Sequence, residues 1–200
     1  TKNAALEDVP IFVILSSDQD QTLRDVHWGQ VLDWNDEAGE FLIEFGQDPA
    51  SFEKTDVEGE EEPFSLTESR EDRKEPRSAR PGQTQFRFRV RQRYGLRCAV
   101  CDMEIPALLE AAHFRDRTKE GSNDPRNGIL LCRNHHKAFD DGLFGVCPDA
   151  LEVCFVEGGR TAEELGITHS RLSSKSGKEP HQDAIRWVWE RWEEAPEEER

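Results

Sequence analysis

The chain has 200 residues, of which 35% are hydrophobic and 34% charged, and its formal net charge is −16. This composition favours two small units over one large core, and no apolar run approaches the roughly 18 residues of a membrane span. Because no charged and apolar leader follows Thr1, and the cysteines suit metal binding better than a disulfide framework, we expect a cytoplasmic protein with no membrane partner.

The charge is distributed unevenly along the chain. Residues 1–69 contain 18 acidic and three basic side chains, whereas residues 70–97 contain ten basic and three acidic ones. A basic strip can hold phosphates near an acidic lobe, because salt screens charges beyond about 8 Å. The net charge therefore does not exclude a nucleic-acid partner.

The first segment, residues 1–47, predicts a small β-rich domain that recognises a target or a partner. The runs VPIFVIL, HWGQVLDW and GEFLIEFG predict strands, and NDEA between the last two predicts a hairpin turn. Aromatic residues at strand positions are more often core than ligand pocket, so we expect core packing, with a pocket for an unstacked base as the alternative. These residues are Trp28, Trp34, Phe41 and Phe45. Residues 48–82 are polar and charged without a sustained period, and predict a mobile linker.

The third segment, residues 83–200, opens with TQFRFRVRQRYG. Phe86, Phe88 and Val90 alternate as in a strand, while Phe86, Val90 and Tyr94 have helical spacing, and the glycine that follows Tyr94 favours a helix that ends there. Whether the segment is a strand or a helix, four arginine side chains are expected to be largely exposed to solvent: Arg87, Arg89, Arg91 and Arg93.

Near the end of the chain, HQDAIRWVWERWEE predicts an amphipathic helix with an aromatic stripe. Ile185, Val188, Trp189 and Trp192 are separated by offsets of three, four and seven residues, which places them on one helical face. We expect this face to dock on the core of the segment.

Two short cysteine motifs have the spacing of metal ligands. Cys98 and Cys101 form CAVC, and Cys132 and His135 form CRNH, which together give the Cys3His set of a tetrahedral zinc knuckle. We therefore expect a structural zinc ion. The remaining cysteines, Cys147 and Cys154, lie in an apolar stretch and are expected to pack.

The second histidine of the HH pair has a different partner. On a helix that begins near Cys132, His136 projects about 100 degrees away from His135, and Asp140 lies four residues further on the same face. An imidazole and a carboxylate can bind a divalent ion such as Mg²⁺, Mn²⁺, Ni²⁺ or Zn²⁺. In the alternative, Cys132 and His136 share the zinc, which breaks both spacings.

Three of these positions carry a resemblance to a known family. His113 in LLEAAHF, Asn127 in NDPRNGILLC and His136 in CRNHHKAFD resemble the HNH endonucleases, and AAHF, NGILLC and HHKAFDDGLF are similar to the restriction-type branch. The resemblance covers about residues 83–146, extends by expectation to the C-terminus, and does not include residues 1–80. It implies a zinc-knuckle-framed ββα-metal domain with a C-terminal amphipathic helix. Together with the β-rich domain and the charged linker that the sequence pattern predicts before it, the expected fold class is α+β.

The resemblance also implies roles for individual residues. His113 is the general base, Asn127 orients the backbone around it, and His136 with Asp140 binds the catalytic ion, for which Mg²⁺ is the first expectation. Anchoring of DNA phosphates falls to the helix arginines together with Arg115 and Arg117.

One position departs from the family pattern. Many members carry Asp or His directly before the base, where it binds the metal, but this chain has Ala112. Asn127, Glu110 and Asp116 are the candidates for a third protein ligand.

These features together predict a metal-dependent DNA endonuclease of restriction or phage defence, with dependence on modified DNA as a further hypothesis. A double-strand cut would require a homodimer or successive nicks. The alternatives are a zinc-stabilised nucleic-acid-binding or protein-interaction module without turnover, and an HNH nuclease of repair or phage packaging.

Overall fold

The structure is a computed structural model that describes residues 1–7, 9–17, 20, 22–46, 63–68 and 81–196, with the side chains of 81 and 82 left out. The chain divides into two compact units, Thr1–Glu62 and Pro63–Arg200. Most of the predicted linker, residues 48–62 and 69–80, lies outside the described residues. Over the described ranges, no helix combines the length and apolar character needed to cross a membrane.

The first unit is a short helix followed by a three-stranded antiparallel sheet in the order β1-β2-β3. Its elements are α1 (Lys2–Leu6), β1 (Ile11–Ser16), β2 (Arg24–Asn35) and β3 (Glu40–Gly46). Asn35 pairs with Glu40, and its Oδ1 accepts hydrogen bonds of 3.1 Å from the backbone N–H groups of Glu37 and Ala38. The predicted strands and the hairpin turn are confirmed.

The expected core packing of the sheet aromatics is wrong for two of the four residues. Phe41 and Phe45 are 39% and 52% exposed, whereas Trp28 and Trp34 are half-buried. Among the described residues, α1 is the element that packs on this sheet, and its five residues span about 7 Å, too little to cover a face. The register shift between Val31 and Asp33 interrupts the alternation along β2, so Trp28 and Trp34 lie on opposite faces of the sheet. Burial of either face also needs a second layer.

The second unit is built from helices and two antiparallel hairpins, β4–β5 and β6–β7. Its elements are α2 (Pro81–Tyr94), β4 (Leu109–His113), β5 (Gly128–Cys132), α3 (Arg133–Asp140), β6 (Gly145–Val146), β7 (Val153–Cys154), α4 (Ala162–Leu165) and α5 (Gln182–Glu194). The α+β fold class is therefore confirmed.

Helix α2 packs against the β4–β5 hairpin, as its helical apolar spacing predicted. Phe86, Val90 and Tyr94 are buried, and Gly95 adopts a φ of 77° that ends the helix. Every residue of β5 is buried, because α2, β4 and α3 all pack against this strand. At the closest approach, a methyl group added to Gly128 would lie 2.5 Å from Cζ of Phe86.

The C-terminal helix α5 docks on the same unit, which confirms the prediction from its apolar stripe. Ala184 and Ile185 are fully buried, while Val188 and Trp189 are half-buried. The indole Nε1 of Trp192 donates a 2.8 Å hydrogen bond to the carbonyl of Gly142.

Residues 63–68 fall within the segment predicted as a linker, and they pack on the second unit. Phe64 and Leu66 contact its core, and the backbone N–H of Ser122 donates to the carbonyl of Leu66. Glu68 accepts a 2.8 Å hydrogen bond from the N–H of Asn123. This short stretch therefore supports the loop between β4 and β5.

The contact between α2 and β5 gives a prediction about stability. Gly128→Ala should lower the free energy of unfolding by about 1–3 kcal/mol, because the added methyl group displaces the Phe86 ring. Urea denaturation of the purified chain measures the change. Glu157→Ala, at an exposed loop position, is the control and should change stability by less than about 0.5 kcal/mol. Equal effects of the two substitutions would contradict the packing argument.

Candidate active site and metal centre

Four predicted ligands come together in the second unit. The sulfur atoms of Cys98, Cys101 and Cys132 and the nearest ring nitrogen of His135 all lie within 4.8 Å of one another. Nδ1 of His135 is 3.5 Å from Sγ of Cys98 and 3.2 Å from Sγ of Cys132. Within the part of the chain that the structure describes, this is the single group of three or more candidate ligands.

The orientation of His135 suits a metal ligand. Its Nε2 lies 3.0 Å from the carbonyl of Leu165, which can only accept, so Nε2 carries the proton and Nδ1 presents a lone pair to the thiols. Burial and the neighbouring thiols of Cys98 and Cys132 raise the pKa of Cys101 to about 12. A cation among these groups would offset the electrostatic cost of placing three thiolates close together in a partly buried site. This donor set can therefore hold a metal ion.

The predicted base, His113, is the last residue of β4 and pairs with Gly128 on β5. Its ring stacks on Phe86 at 3.7 Å between centroids and 9° between planes. Its Nε2 is buried, and it makes no hydrogen bond of ordinary geometry within the described residues. Burial lowers the pKa of His113 to about 4, although the side chains of Asn123 and Asp116 act in the opposite direction. The imidazole is therefore neutral at pH 7.

Asn127 is completely buried and holds the loop that follows His113. Its Oδ1 accepts a 3.1 Å hydrogen bond from the N–H of Arg115. Its Nδ2 donates to the carbonyls of Arg115 and Ser122, at 3.0 and 2.9 Å. An amide engaged at both ends and closed to solvent suits the orienting role, and it argues against Asn127 as the third metal ligand.

The pair predicted on α3, His136 and Asp140, is brought together, with 3.6 Å between Nε2 and Oδ2. On its other side, Nδ1 of His136 is 2.9 Å from Oε2 of Glu110. This hydrogen bond is the largest of the effects that lower the pKa of Glu110, and Arg133 contributes a second one at 2.9 Å. Because the carboxylate accepts from Nδ1–H, the lone pair of Nε2 faces Asp140.

Both carboxylate oxygens of Glu110 are therefore engaged, Oε1 by Arg133 and Oε2 by His136. Glu110 and His136 are 26 positions apart, on β4 and α3, so no local spacing in the sequence pairs them. The contact follows from packing of α3 against the hairpin.

The remaining acidic candidate, Asp116, lies in the loop after His113. Its pKa is lowered mainly by a hydrogen bond from the side chain of Thr118 and further by one from the Thr118 backbone N–H, which Oδ1 accepts. Its charge raises the pKa of both His113 and Asp140, and His136 lowers the pKa of His113. These four groups thus act on one another electrostatically across one site.

The predicted phosphate-binding arginines have different surroundings. Arg87 and Arg89 are exposed on α2, whereas Arg91 and Arg93 are half-buried. Nη2 of Arg93 donates to the carbonyl of Glu179 at 3.3 Å.

The two loop arginines are tied to neighbouring groups. Nε of Arg115 donates to the carbonyl of Lys119 at 2.7 Å, and Nη1 of Arg117 lies 3.6 Å from Glu68. Both therefore have defined positions beside the loop that follows His113.

A cluster of basic residues around Trp187 was missed by sequence reasoning. Arg115, Lys119 and Arg191 lie 5.2, 5.7 and 3.7 Å from the centre of the Trp187 ring. The sequence assigned Trp187 no role, because it lies off the apolar stripe of α5. The one signal in the sequence that could have indicated a role for Trp187 is that a large aromatic residue lies off the apolar stripe of the helix. We call these four residues the Trp187 cluster.

A β-hairpin followed by a helix, with a histidine at a strand end and a Cys3His cluster at the helix start, is the arrangement that the resemblance implied. Residues 98–146 match the family model described as HNH endonuclease. This match confirms, over these residues, the resemblance seen in the sequence.

Two further comparisons were made. No curated protein matches the chain. Among solved structures, the chain is similar to one titled "Modification dependent TagI restriction endonuclease", with a TM-score of 0.41 and 17% identity. The match covers 89% of this chain and 50% of that one, so the present chain spans about half the length of that protein.

The knuckle geometry separates the roles of the adjacent histidines. His135→Ala removes a buried ligand and should release the bound metal and unfold the second unit. His136→Ala, its half-buried neighbour, is the matched control and should keep the metal and the fold. Metal content by mass spectrometry and circular dichroism check both expectations. Metal retention in His135→Ala, or metal loss in His136→Ala, would reverse the assignment.

The burial of His113 predicts its titration. The folded chain keeps this ring neutral down to about pH 4, whereas the unfolded chain protonates it near pH 6.5. Between these values the unfolded chain binds more protons, so the free energy of unfolding falls as the pH falls through this window. NMR should give a midpoint near 4 for the ring, and His113→Gln should show a shallower loss of stability between pH 7 and 5. A midpoint near 6.5 would show that the ring is solvated.

Proposed function

We propose that the chain is a metal-dependent DNA endonuclease that hydrolyses phosphodiester bonds. The observation that carries the proposal is the buried, unpartnered Nε2 of His113 within a segment that matches an HNH endonuclease model. Buried polar atoms without partners are rare in folded proteins, and a neutral imidazole has one ring nitrogen that can take a proton from water.

Two kinds of ion accompany this function. Zinc is the proposed occupant of the Cys3His cluster, since three thiolates and an imidazole suit a closed tetrahedral site. His136 and Asp140 would hold a divalent ion, for which we propose Mg²⁺, with Mn²⁺, Ni²⁺ and Zn²⁺ as alternatives. Bound there, the ion would supply positive charge at the scissile phosphate and at the leaving oxygen.

His113 acts as the general base. Its low pKa keeps the ring neutral throughout the neutral range, so that one ring nitrogen can accept a proton, at the cost of a weaker driving force for removing a proton from water. Stacking on Phe86 fixes the plane of the ring, and Asn127 fixes the loop that begins directly after it. The nitrogen is therefore held in place before substrate binds.

Glu110 acts through His136. By accepting from Nδ1, it selects the tautomer in which Nε2 has a lone pair, and it restrains rotation of the ring. Arg133 in turn restrains Glu110. Many family members supply a metal ligand at the position of Ala112, so this chain has fewer protein ligands for the ion. The fixed orientation of His136 compensates for the missing ligand.

The DNA backbone is the proposed partner of the Trp187 cluster. Two of its three cations, Arg115 and Lys119, lie on the chain segment that follows the base, and the third, Arg191, lies on α5. Arg87 and Arg89 extend the phosphate contacts along α2, and Arg91, Arg93 and Arg117 are weaker candidates because they are partly buried. Contacts of this kind bind DNA without reading its sequence.

Restriction or phage defence is the proposed setting, on the basis of the AAHF, NGILLC and HHKAFDDGLF segments. The first unit is proposed to select the target or a partner, with modified DNA as the candidate target. Its exposed aromatics Phe41 and Phe45 support a binding role, because packing does not use them. A single site cuts one strand, so a double-strand cut needs a homodimer or two successive nicks.

Nicking of supercoiled plasmid tests the nuclease activity, the proposed base His113 and the proposed positioning residue Glu110. His113→Ala should lower the rate by about 100-fold or more, since it removes the base. Glu110→Gln should lower the rate less and raise the metal concentration needed for half-maximal activity, because a neutral amide positions His136 more weakly. Glu104→Gln, an exposed residue of the same type, is the matched control.

The substrate panel should contain modified and unmodified plasmid with each of the four divalent ions. Salt-sensitive DNA binding without nicking under all these conditions would favour the non-catalytic module. Nicking at the wild-type rate by His113→Ala would refute the role of the base.

A further inference from the structure

The second unit contains a cavity of about 330 Å³ that the proposed catalytic residues do not line. Its wall is formed by α2, β5 and the segment 171–180. The floor is apolar and comes from buried residues of the core: Tyr94, Ala99, Ile129, Leu130, Leu151 and Leu172. Cavities of this size and lining hold small organic ligands.

The polar residues of the cavity are mainly cationic. Arg97, Arg171 and Lys178 line it, and Glu179 is the one acidic residue of the lining. Arg171 pairs with Glu179 at 3.0 Å, which leaves Arg97 and Lys178 as the excess positive charge. In a chain with a formal net charge of −16, this excess favours an anionic ligand.

A chain of hydrogen bonds fixes Arg97 at the cavity. Nε2 of His169 lies 3.0 Å from Oδ1 of Asp102, and Nδ1 of His169 lies 3.1 Å from Oγ of Ser173. If Nε2–H donates to the carboxylate, Nδ1 accepts from the hydroxyl of Ser173, whose oxygen then accepts from Nη2 of Arg97 at 3.4 Å. Nε of Arg97 is buried, and within the described residues it has no hydrogen-bond partner.

We propose that this cavity binds one nucleotide, with the base on the apolar floor and the phosphate at Arg97 and Lys178. A flat, uncharged ring joined to a phosphate matches both halves of the lining, whereas inorganic phosphate would leave the floor unused. Proteins that bind an unstacked base use the same combination of apolar walls and cationic groups.

The nucleotide has two possible sources with one chemistry, namely a free mononucleotide or a nucleotide turned out of bound DNA. The second source rests on the proposed nuclease function. Binding of free mononucleotides does not, so it can be tested independently of cleavage.

Calorimetry of the 200-residue, metal-loaded chain with dAMP and dCMP tests the proposal. Each should bind at least about tenfold more tightly than the matching deoxynucleoside or inorganic phosphate, because these fill half of the site. Lys178→Glu should weaken binding by at least about fivefold. Lys175→Glu, an equal charge change in the same segment but outside the lining, should change it by less than about twofold.

The opposite results would overturn the proposal. These are absence of mononucleotide binding by the folded chain, binding of phosphate alone as tightly as the nucleotide, or equal losses in the two lysine variants. Loss of plasmid nicking in His113→Ala with nucleotide binding retained would show that the two sites are separate.

An oligonucleotide containing 2-aminopurine distinguishes the sources. A rise in its fluorescence on binding that Lys178→Glu abolishes would assign the cavity to a nucleotide within DNA. Unchanged fluorescence together with mononucleotide binding would assign it to a free nucleotide. Both results support the nucleotide site, whereas a rise that persists in Lys178→Glu would place the displaced base elsewhere.

Discussion

The Cys3His knuckle is the constraint on which the rest of the second unit depends. Cys98 follows α2, Cys132 ends β5, and His135 lies in the first turn of α3, so one cluster fixes three elements relative to each other. Since α3 begins at Cys132, the direction of its side chains is set by the knuckle. His135 then faces inward, and His136 is turned toward Glu110 on β4. Without a cation, three clustered and largely buried thiols would stabilise this arrangement poorly.

A buried amide, that of Asn127, fixes the opposite end of the β4–β5 hairpin. Asn127 joins the end of the β4–β5 connection to the beginning of the same loop through three hydrogen bonds, so the loop cannot move independently of the hairpin. His113 is the residue at the start of that loop, and Phe86 of α2 covers its ring. An unpartnered nitrogen and a lowered pKa are tolerated there because the surrounding structure determines the position of the ring.

The two units differ in how they bury their apolar residues. The second unit has a continuous core, in which β5 is buried along its whole length. In the first unit, Phe12 and Ile14 on β1 and Val26 on β2 are each about 60% exposed, and Phe12 and Trp28 rings lie 4.0 Å apart. One sheet with one short helix offers too few layers to cover these side chains.

The sequence by itself determined the elements with a strong local period and the ligands with a fixed short spacing. Helices α2 and α5, the strands of the first unit, CAVC, CRNH and the His136–Asp140 pair depend on contacts within a few residues, which a periodic pattern records directly. Only the tertiary structure decided the long-range contacts. The bond of Glu110 to His136, the cations around Trp187, the exposure of Phe41 and Phe45, and the cavity beside Arg97 all join or separate residues far apart in the chain. Such contacts arise from the packing of whole elements, and the identity of neighbouring residues does not encode them.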